Sequence, residues 1–142
     1  MRLRFDRTKY TSLVAGVSAL IISFGAISDD AEPAAEPYNH VLKRTSIEND
    51  GEVEVLVREI LFAPGWQAPR HFHNADLFIY VIKGEFEVTM EHNGRNVYSA
   101  GQALEMRSET IMDARNPSDT DALMLAVFQV GAPDSPFVVA VD

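Results

Sequence analysis

Residues 65–84 read GWQAPRHFHNADLFIYVIKG, and they place two histidines directly before a run of β-branched and aromatic residues. His71 and His73 are two positions apart, a spacing that puts both side chains on one face of a β-strand. Two imidazoles on one face form half of a site for a transition metal. The stretch therefore predicts a strand that presents both rings to a single pocket.

Short β-like runs separated by turn signals surround this stretch. Residues 52–62 alternate apolar and polar side chains, and residues 77–82 form an apolar run that we expect to be a strand buried on both faces. Asn93-Gly94 is typical of a two-residue hairpin turn. Residues 122–130 and 137–141 are further β-like runs. The pattern predicts an all-β domain over residues 38–142, built as an antiparallel sandwich or a closed barrel.

Composition excludes several classes of function. The chain has 142 residues, a net charge of −9 and no cysteine. Its length suits one domain with a core. Without cysteine there is no disulfide, thiol nucleophile or cysteine-ligated zinc. The acidic charge argues against binding to nucleic acid, and the lack of a glycine-rich phosphate loop argues against a nucleotide cofactor.

The N-terminal residues have the pattern of an export signal. Residues 1–28 combine four basic side chains with an uncharged apolar run at residues 13–27. A run of about 15 residues suits a signal peptide better than a membrane span of about 20, and small residues end it. An uncleaved anchor helix is the alternative. Residues 29–37 are acidic and rich in Ala and Pro, as in a linker. Either alternative predicts a periplasmic or secreted domain that meets the membrane only through this segment, anchored in the inner membrane if the segment is not cleaved.

The residues around the histidines resemble the first motif of the cupins, G-x5-H-x-H-x3,4-E-x6-G. Gly65, His71, His73 and Gly84 keep the spacing, while Leu77 stands where the family has glutamate. The resemblance implies a cupin (RmlC-like) jelly-roll β-barrel. It also implies a divalent metal held inside the barrel by three histidines and one glutamate.

The second cupin motif, G-x5-P-x-G-x2-H-x3-N, is retained only in part. Gly101 and Asn116 fall in register, but Arg107, Glu109 and Met112 replace the family's proline, glycine and histidine. Met112 therefore takes the place of the third metal-binding histidine. The metal site that the resemblance implies is degenerate in this chain.

Two interpretations of the histidine pair remain open. In the first, His71, His73 and Met112 bind a divalent metal or copper, since a thioether with two imidazoles suits copper. Glu105 and Glu109 are other candidate anionic ligands. In the second interpretation, both histidines line an apolar ligand pocket and donate hydrogen bonds, without a metal. Trp66, Leu77 and Tyr80 are the predicted walls of that pocket.

Two classes of function follow from these interpretations. One is an exported module that binds a small molecule or a metal ion. The other is a metal-dependent enzyme that resembles the cupin oxygenases, isomerases and lyases and uses a non-standard ligand set. The resemblance also implies a homodimer, for which the apolar runs at residues 122–130 and 137–141 are candidate interface segments.

Overall fold

The domain consists of ten β-strands in two antiparallel sheets. The structure is a computed structural model that describes residues 35–48 and 52–141. The strands are β1 Tyr38–Glu48, β2 Glu52–Phe62, β3 Gln67–Phe72, β4 Ala75–Lys83, β5 Glu85–Met90, β6 Gly94–Ser99, β7 Ala103–Met106, β8 Met112–Arg115, β9 Leu123–Gly131 and β10 Val139–Ala140. One sheet has the order β1-β2-β9-β4-β7, and the other has the order β10-β3-β8-β5-β6.

This architecture confirms the predicted all-β class. The first strand begins at Tyr38, where the domain was expected to start. The predicted signal peptide or anchor over residues 1–28 lies outside the described residues, and so does the linker up to residue 34. Within the part of the chain that the structure describes, no helix is long and apolar enough to cross a membrane.

The core lies between the two sheets and is formed by their inner faces. Leu77, Ile79 and Val81 of β4 belong to it, together with apolar side chains from β5, β7, β8 and β9. Alternation along each strand explains this arrangement, because successive side chains point to opposite faces of a sheet. The two inner faces together bury a continuous apolar layer.

The expectation that residues 77–82 are buried on both faces is wrong. Phe78, Tyr80 and Ile82 are between 41 and 46% exposed, whereas the three residues that alternate with them are buried. In an antiparallel sandwich only one face of each sheet meets the core. One face of this apolar run therefore packs in the core, and the other apolar face is exposed to solvent.

The hairpin predicted at Asn93-Gly94 is present but has a longer loop. Gly94 pairs with Met90 as the first residue of β6, so that the loop has three residues, Glu91 to Asn93. Gly94 has a positive φ of 66°. A three-residue loop followed by a left-handed glycine is a common alternative to the two-residue turn.

The outer face of the second sheet carries paired charges. Glu87 is only 6% exposed there, because Arg115 and Arg95 cover it. The Nε and Nη2 atoms of Arg115 donate to the two carboxylate oxygens at 2.7 and 2.9 Å. These hydrogen bonds, with a smaller contribution from Arg95, hold the pKa of Glu87 below its usual range. The two outer faces of the sandwich thus differ sharply in polarity.

Candidate functional site

A cavity of about 370 Å³ lies between the sheets at the end where β3 turns into β4. Both sheets contribute to its lining, which is largely apolar. The lining side chains are Pro37, Tyr38, Asn39, Ile60, Leu61, Phe62, Trp66, Ala68, His71, His73, Leu77, Ile79, Phe86, Met106, Met112, Ala114, Leu125, Val127, Phe137 and Val138. A volume of this size accommodates a small organic molecule.

The two histidines are the buried polar residues of this lining. His71 lies in β3 and His73 one residue after its end, and they are 5% and 6% exposed. The centroids of their rings are 5.0 Å apart, and the ring planes are nearly perpendicular, at 88°. The predicted arrangement of both rings on one face and in one pocket is therefore observed.

Hydrogen bonds to backbone carbonyls fix the tautomer of both rings. His71 Nδ1 donates to the carbonyl oxygen of Pro69 at 2.7 Å, and His73 Nδ1 donates to the carbonyl oxygen of Phe137. Since a carbonyl oxygen can only accept, Nδ1 must carry the proton in each ring. The Nε2 atom of a neutral ring is then left with a lone pair. Within the described residues, no hydrogen bond of the protein occupies either Nε2.

His73 stays neutral at ordinary pH. Burial lowers its pKa to about 4, and nearby His71 acts in the same direction, while the bond to the Phe137 carbonyl opposes the shift. At neutral pH this ring therefore presents a lone pair to the cavity and carries no positive charge.

The C-terminal segment completes the site. Val139 and Ala140 form β10, which pairs with Phe72 and His71 of β3. Phe137, just before this strand, lines the cavity and places its ring centroid 5.1 Å from that of His73. This contribution of Phe137 is missing from the sequence prediction, because a backbone carbonyl that pairs over a long sequence separation leaves no mark in residue type or spacing.

Of the three predicted wall residues, the structure places two in the cavity. Leu77 and Trp66 line it, and Trp66 stacks on Phe62 with ring centroids 3.7 Å apart. Tyr80 does not line it, and its prediction as a pocket residue was wrong. Its side chain is 45% exposed, because it alternates with the inward-facing Ile79 and so points to the outer face of β4.

The second motif keeps the family register despite its substitutions. Glu109 stands at the family's glycine position and has a positive φ of 63°, and its N–H donates to the carbonyl oxygen of His73 at 2.8 Å. Met112 lies opposite His71 in the pairing of β3 with β8, and it lines the cavity. Asn116 is buried and donates through Nδ2 to the carbonyl oxygens of Ala63 and Asp121 at 3.0 and 2.7 Å.

The metal-ligand set that the family implies does not fit this cavity. Leu77 and Met112, each 1% exposed, hold the positions of the glutamate and the third histidine. The described residues contain no group of three or more His, Cys, Asp or Glu side chains close enough to share a metal ion. The alternative anions are elsewhere, since Glu105 pairs with Arg107 at 2.6 Å on the outer face and Glu109 is exposed.

Comparison with known proteins identifies the family. A family model described as a cupin domain matches residues 58–128, half of the chain, and the chain belongs to the cupin family. A search of curated proteins found no match.

Solved structures share the same fold. An RmlC-like cupin family protein from Methanocaldococcus jannaschii is 23% identical, with a TM-score of 0.57 over 72% of this chain and 87% of that chain. KdgF from Halomonas sp. is 24% identical, with a TM-score of 0.52 over 70% of this chain and 83% of that chain. DMSP lyase DddQ from Ruegeria pomeroyi is 18% identical, with a TM-score of 0.58 over 74% of this chain and 51% of that chain. At these identities the similarity establishes the fold, and the neighbours differ in function.

The left-handed conformation of Glu109 supports a stability prediction. We expect Glu109→Gly to raise the free energy of unfolding by roughly 0.5–1 kcal/mol, because a residue with a Cβ is strained at positive φ and a glycine is not. The side chain is exposed, so that little else is lost. Urea unfolding measures the change. Ser108→Gly is the control and should lower stability, since Ser108 is not among the residues with positive φ. Equal losses in both variants would contradict the prediction.

Proposed function

We propose that this cupin domain is an exported binding module that holds a small, mostly apolar molecule in its cavity, oriented by His71 and His73. The observation that carries the proposal is a largely apolar cavity of about 370 Å³ that is lined by two buried histidines, whose Nδ1 atoms are bonded to backbone carbonyls and whose Nε2 atoms have no hydrogen-bond partner among the described residues. Binding sites for small molecules commonly combine a largely apolar lining with a few fixed polar atoms. Export is supported by the basic and apolar pattern of residues 1–28.

The other polar residues of the lining are engaged or exposed. The Tyr38 hydroxyl donates to Glu59 at 2.7 Å, and the amide oxygen of exposed Asn39 accepts from Arg58 at 3.3 Å. The histidines are therefore the buried polar residues of the lining that keep an atom free for a ligand, and a hydrogen bond is stronger in such surroundings than in water.

Filling the cavity should abolish binding. We expect naphthalene-sized uncharged aromatic probes, such as indole and 1-naphthol, to shift the methyl NMR signals of the cavity-lining Met106 and Met112. Ala68→Phe places a ring inside the lining and should remove these shifts. Ala100→Phe, in an exposed turn, should leave them unchanged. Circular dichroism verifies the fold of both variants. Shifts that survive Ala68→Phe, or their absence in the unmodified protein, would contradict the proposed site.

Metal binding is a second candidate, and the position of Met112 favours it. Met112 lies opposite His71 on the same inner face, and both histidines present Nε2, the usual imidazole ligand atom. Two imidazoles with a thioether form a donor set that suits copper better than a hard divalent ion. A metal-dependent activity that resembles those of the cupin oxygenases, isomerases and lyases would use a metal held by this non-standard ligand set.

Elemental analysis decides between the two candidates. If a metal is the ligand, protein purified from the periplasm without a histidine tag should contain stoichiometric copper, and both His71→Ala and Met112→Leu should lose it. Met90→Leu is the matched control, because Met90 is buried on the inner side but does not line the cavity. Copper that persists in Met112→Leu would exclude the proposed ligand set, and metal-free protein would leave only the small-molecule function.

We also propose a homodimer packed through the outer face of the sheet β1-β2-β9-β4-β7. Phe78 lies opposite Phe128 on this face, and both side chains are more than 40% exposed. Lys43 and Glu105 point outward near opposite edges of the sheet. A two-fold axis parallel to the strands would bring Lys43 of one copy against Glu105 of the other. This charge complementarity favours a second copy of the chain as the partner that covers the face. Of the expected interface segments, residues 122–130 contribute Phe128 to this face, whereas Phe137 of the segment 137–141 lines the cavity.

The dimer is tested by sedimentation. We expect the unmodified protein to sediment as a dimer at micromolar concentration and Phe78→Ser with Phe128→Ser to sediment as a monomer, because each change removes apolar surface from the centre of the face. Val97→Ser is the control, since Val97 is equally exposed but lies on the other sheet. A monomeric unmodified protein would rule out this interface.

A further inference from the structure

We propose that the ligand of this cavity is a neutral molecule of one or two rings that carries a phenolic hydroxyl, donated to Nε2 of His71 or His73. This inference rests on the proposed small-molecule function and names the chemical class of the ligand. It departs from the family pattern, because it assigns the histidine pair the role of hydrogen-bond acceptor and no metal takes part.

The protonation of the histidines determines what the ligand must offer. Both Nδ1–H groups are already donated to the carbonyls of Pro69 and Phe137. In the neutral rings each Nε2 atom keeps a lone pair, and a ligand that bonds to it has to supply the hydrogen. A hydroxyl group satisfies one of the two Nε2 atoms, and a second, neighbouring hydroxyl could satisfy the other.

The charges around the cavity exclude an anionic ligand. No lysine or arginine is among the lining residues. The guanidinium of Arg58 lies 4.6 Å from the centre of the Phe137 ring, and it is engaged by Gln129 at 3.1 Å and by Asn39 at 3.3 Å. A carboxylate would be buried in a lining that contains no cationic side chain, and beside a neutral imidazole it would face the Nε2 lone pair.

The walls exclude a polyol such as a sugar. Most of the lining is aliphatic or aromatic, with Trp66, Phe86 and Phe137 providing flat ring surfaces. A hydroxyl buried against such walls without a partner loses the hydrogen bonds that it makes in water. A sugar would bury several of these groups, whereas an aromatic ring matches the walls and leaves one or two hydroxyls for the histidines.

The change at the first motif is consistent with this ligand. Leu77 replaces the carboxylate of the family's metal set and lines the cavity, and it is almost completely buried. The substitution removes an anionic acceptor and adds apolar surface beside the histidines. It therefore lowers the affinity of the cavity for a hard cation and raises its affinity for an apolar molecule.

Three matched probes test the inference. They are 4-propylphenol, its methyl ether and 4-propylbenzoate, which share the propylphenyl group. The phenol carries a hydrogen-bond donor, the ether carries only an acceptor, and the benzoate carries a negative charge. Binding is followed by calorimetry and by the methyl signals of Met106 and Met112, with and without a chelator. We expect the phenol to bind about tenfold more tightly than the ether, the value of one buried hydrogen bond, and the benzoate to show no binding. The chelator should change nothing.

Variants assign the effect to the histidines. We expect His71→Leu with His73→Leu to bind phenol and ether equally, and the single changes His71→Gln and His73→Gln to retain part of the difference, because an amide oxygen can accept. His92→Leu, in the exposed hairpin loop, is the control. Equal binding of phenol and ether by the unmodified protein would overturn the phenol inference and leave the cavity function intact. Tighter binding of the benzoate than of the phenol would overturn the phenol inference in the same way. A preference for the phenol over the ether that disappears when the chelator is added would also overturn it. Failure of all three probes to bind would contradict the proposed function as well.

Discussion

Two hydrogen bonds from imidazole Nδ1 atoms to backbone carbonyls are the constraint on which the site depends. One acceptor, the carbonyl of Pro69, belongs to the same strand as His71, and the other, that of Phe137, is 64 residues away from His73 in sequence. Together they set the tautomer and the direction of both rings. Because the two Nδ1 protons are already donated to carbonyls, the atoms that the neutral rings offer to a ligand are the two Nε2 atoms, each with a lone pair in apolar surroundings. Each candidate ligand, whether a hydroxyl or a soft metal ion, has to meet that condition.

The barrel keeps several glycine and asparagine positions of the cupin motifs, but the side chains at two motif positions inside the cavity differ from those of the family. Gly65 and Gly84 keep the positive φ values that the first motif requires, and Asn116 still ties together the loops that follow β2 and β8. Glu109 has a left-handed conformation at the position of the family's glycine although it carries a Cβ. Among the substituted motif positions, Leu77 and Met112 are the ones that line the cavity. A cupin fold alone does not specify an activity, and in this chain those two positions separate the cavity from the family's usual chemistry.

Much of the fold could be predicted from the sequence because its signals are local. The spacing of His71 and His73 and the alternation in residues 52–62 follow directly from strand geometry. The outward direction of Tyr80 could not be predicted in the same way, since an apolar run carries no alternation from which to decide which side faces the core. The loop of the β5–β6 hairpin was one residue longer than Asn93-Gly94 suggested, because the register of a hairpin depends on the pairing of its strands as well as on its turn residues. The contact between the Phe137 carbonyl and His73 could not be predicted, because every residue type has a backbone carbonyl and only the tertiary structure brings this one to the ring.

The attachment of the C-terminal segment has a practical consequence for recombinant work. The short β10 strand pairs with β3 at two positions, and the N–H of Val141 donates to the carbonyl oxygen of Arg70 at 3.1 Å. The residues just before β10 line the cavity and hold the ring of His73. A purification tag or fusion partner placed after residue 142 would follow, within a few residues, the carbonyl of Phe137 that orients the His73 ring. Tags for ligand screening therefore belong on the other end of the domain, ahead of β1.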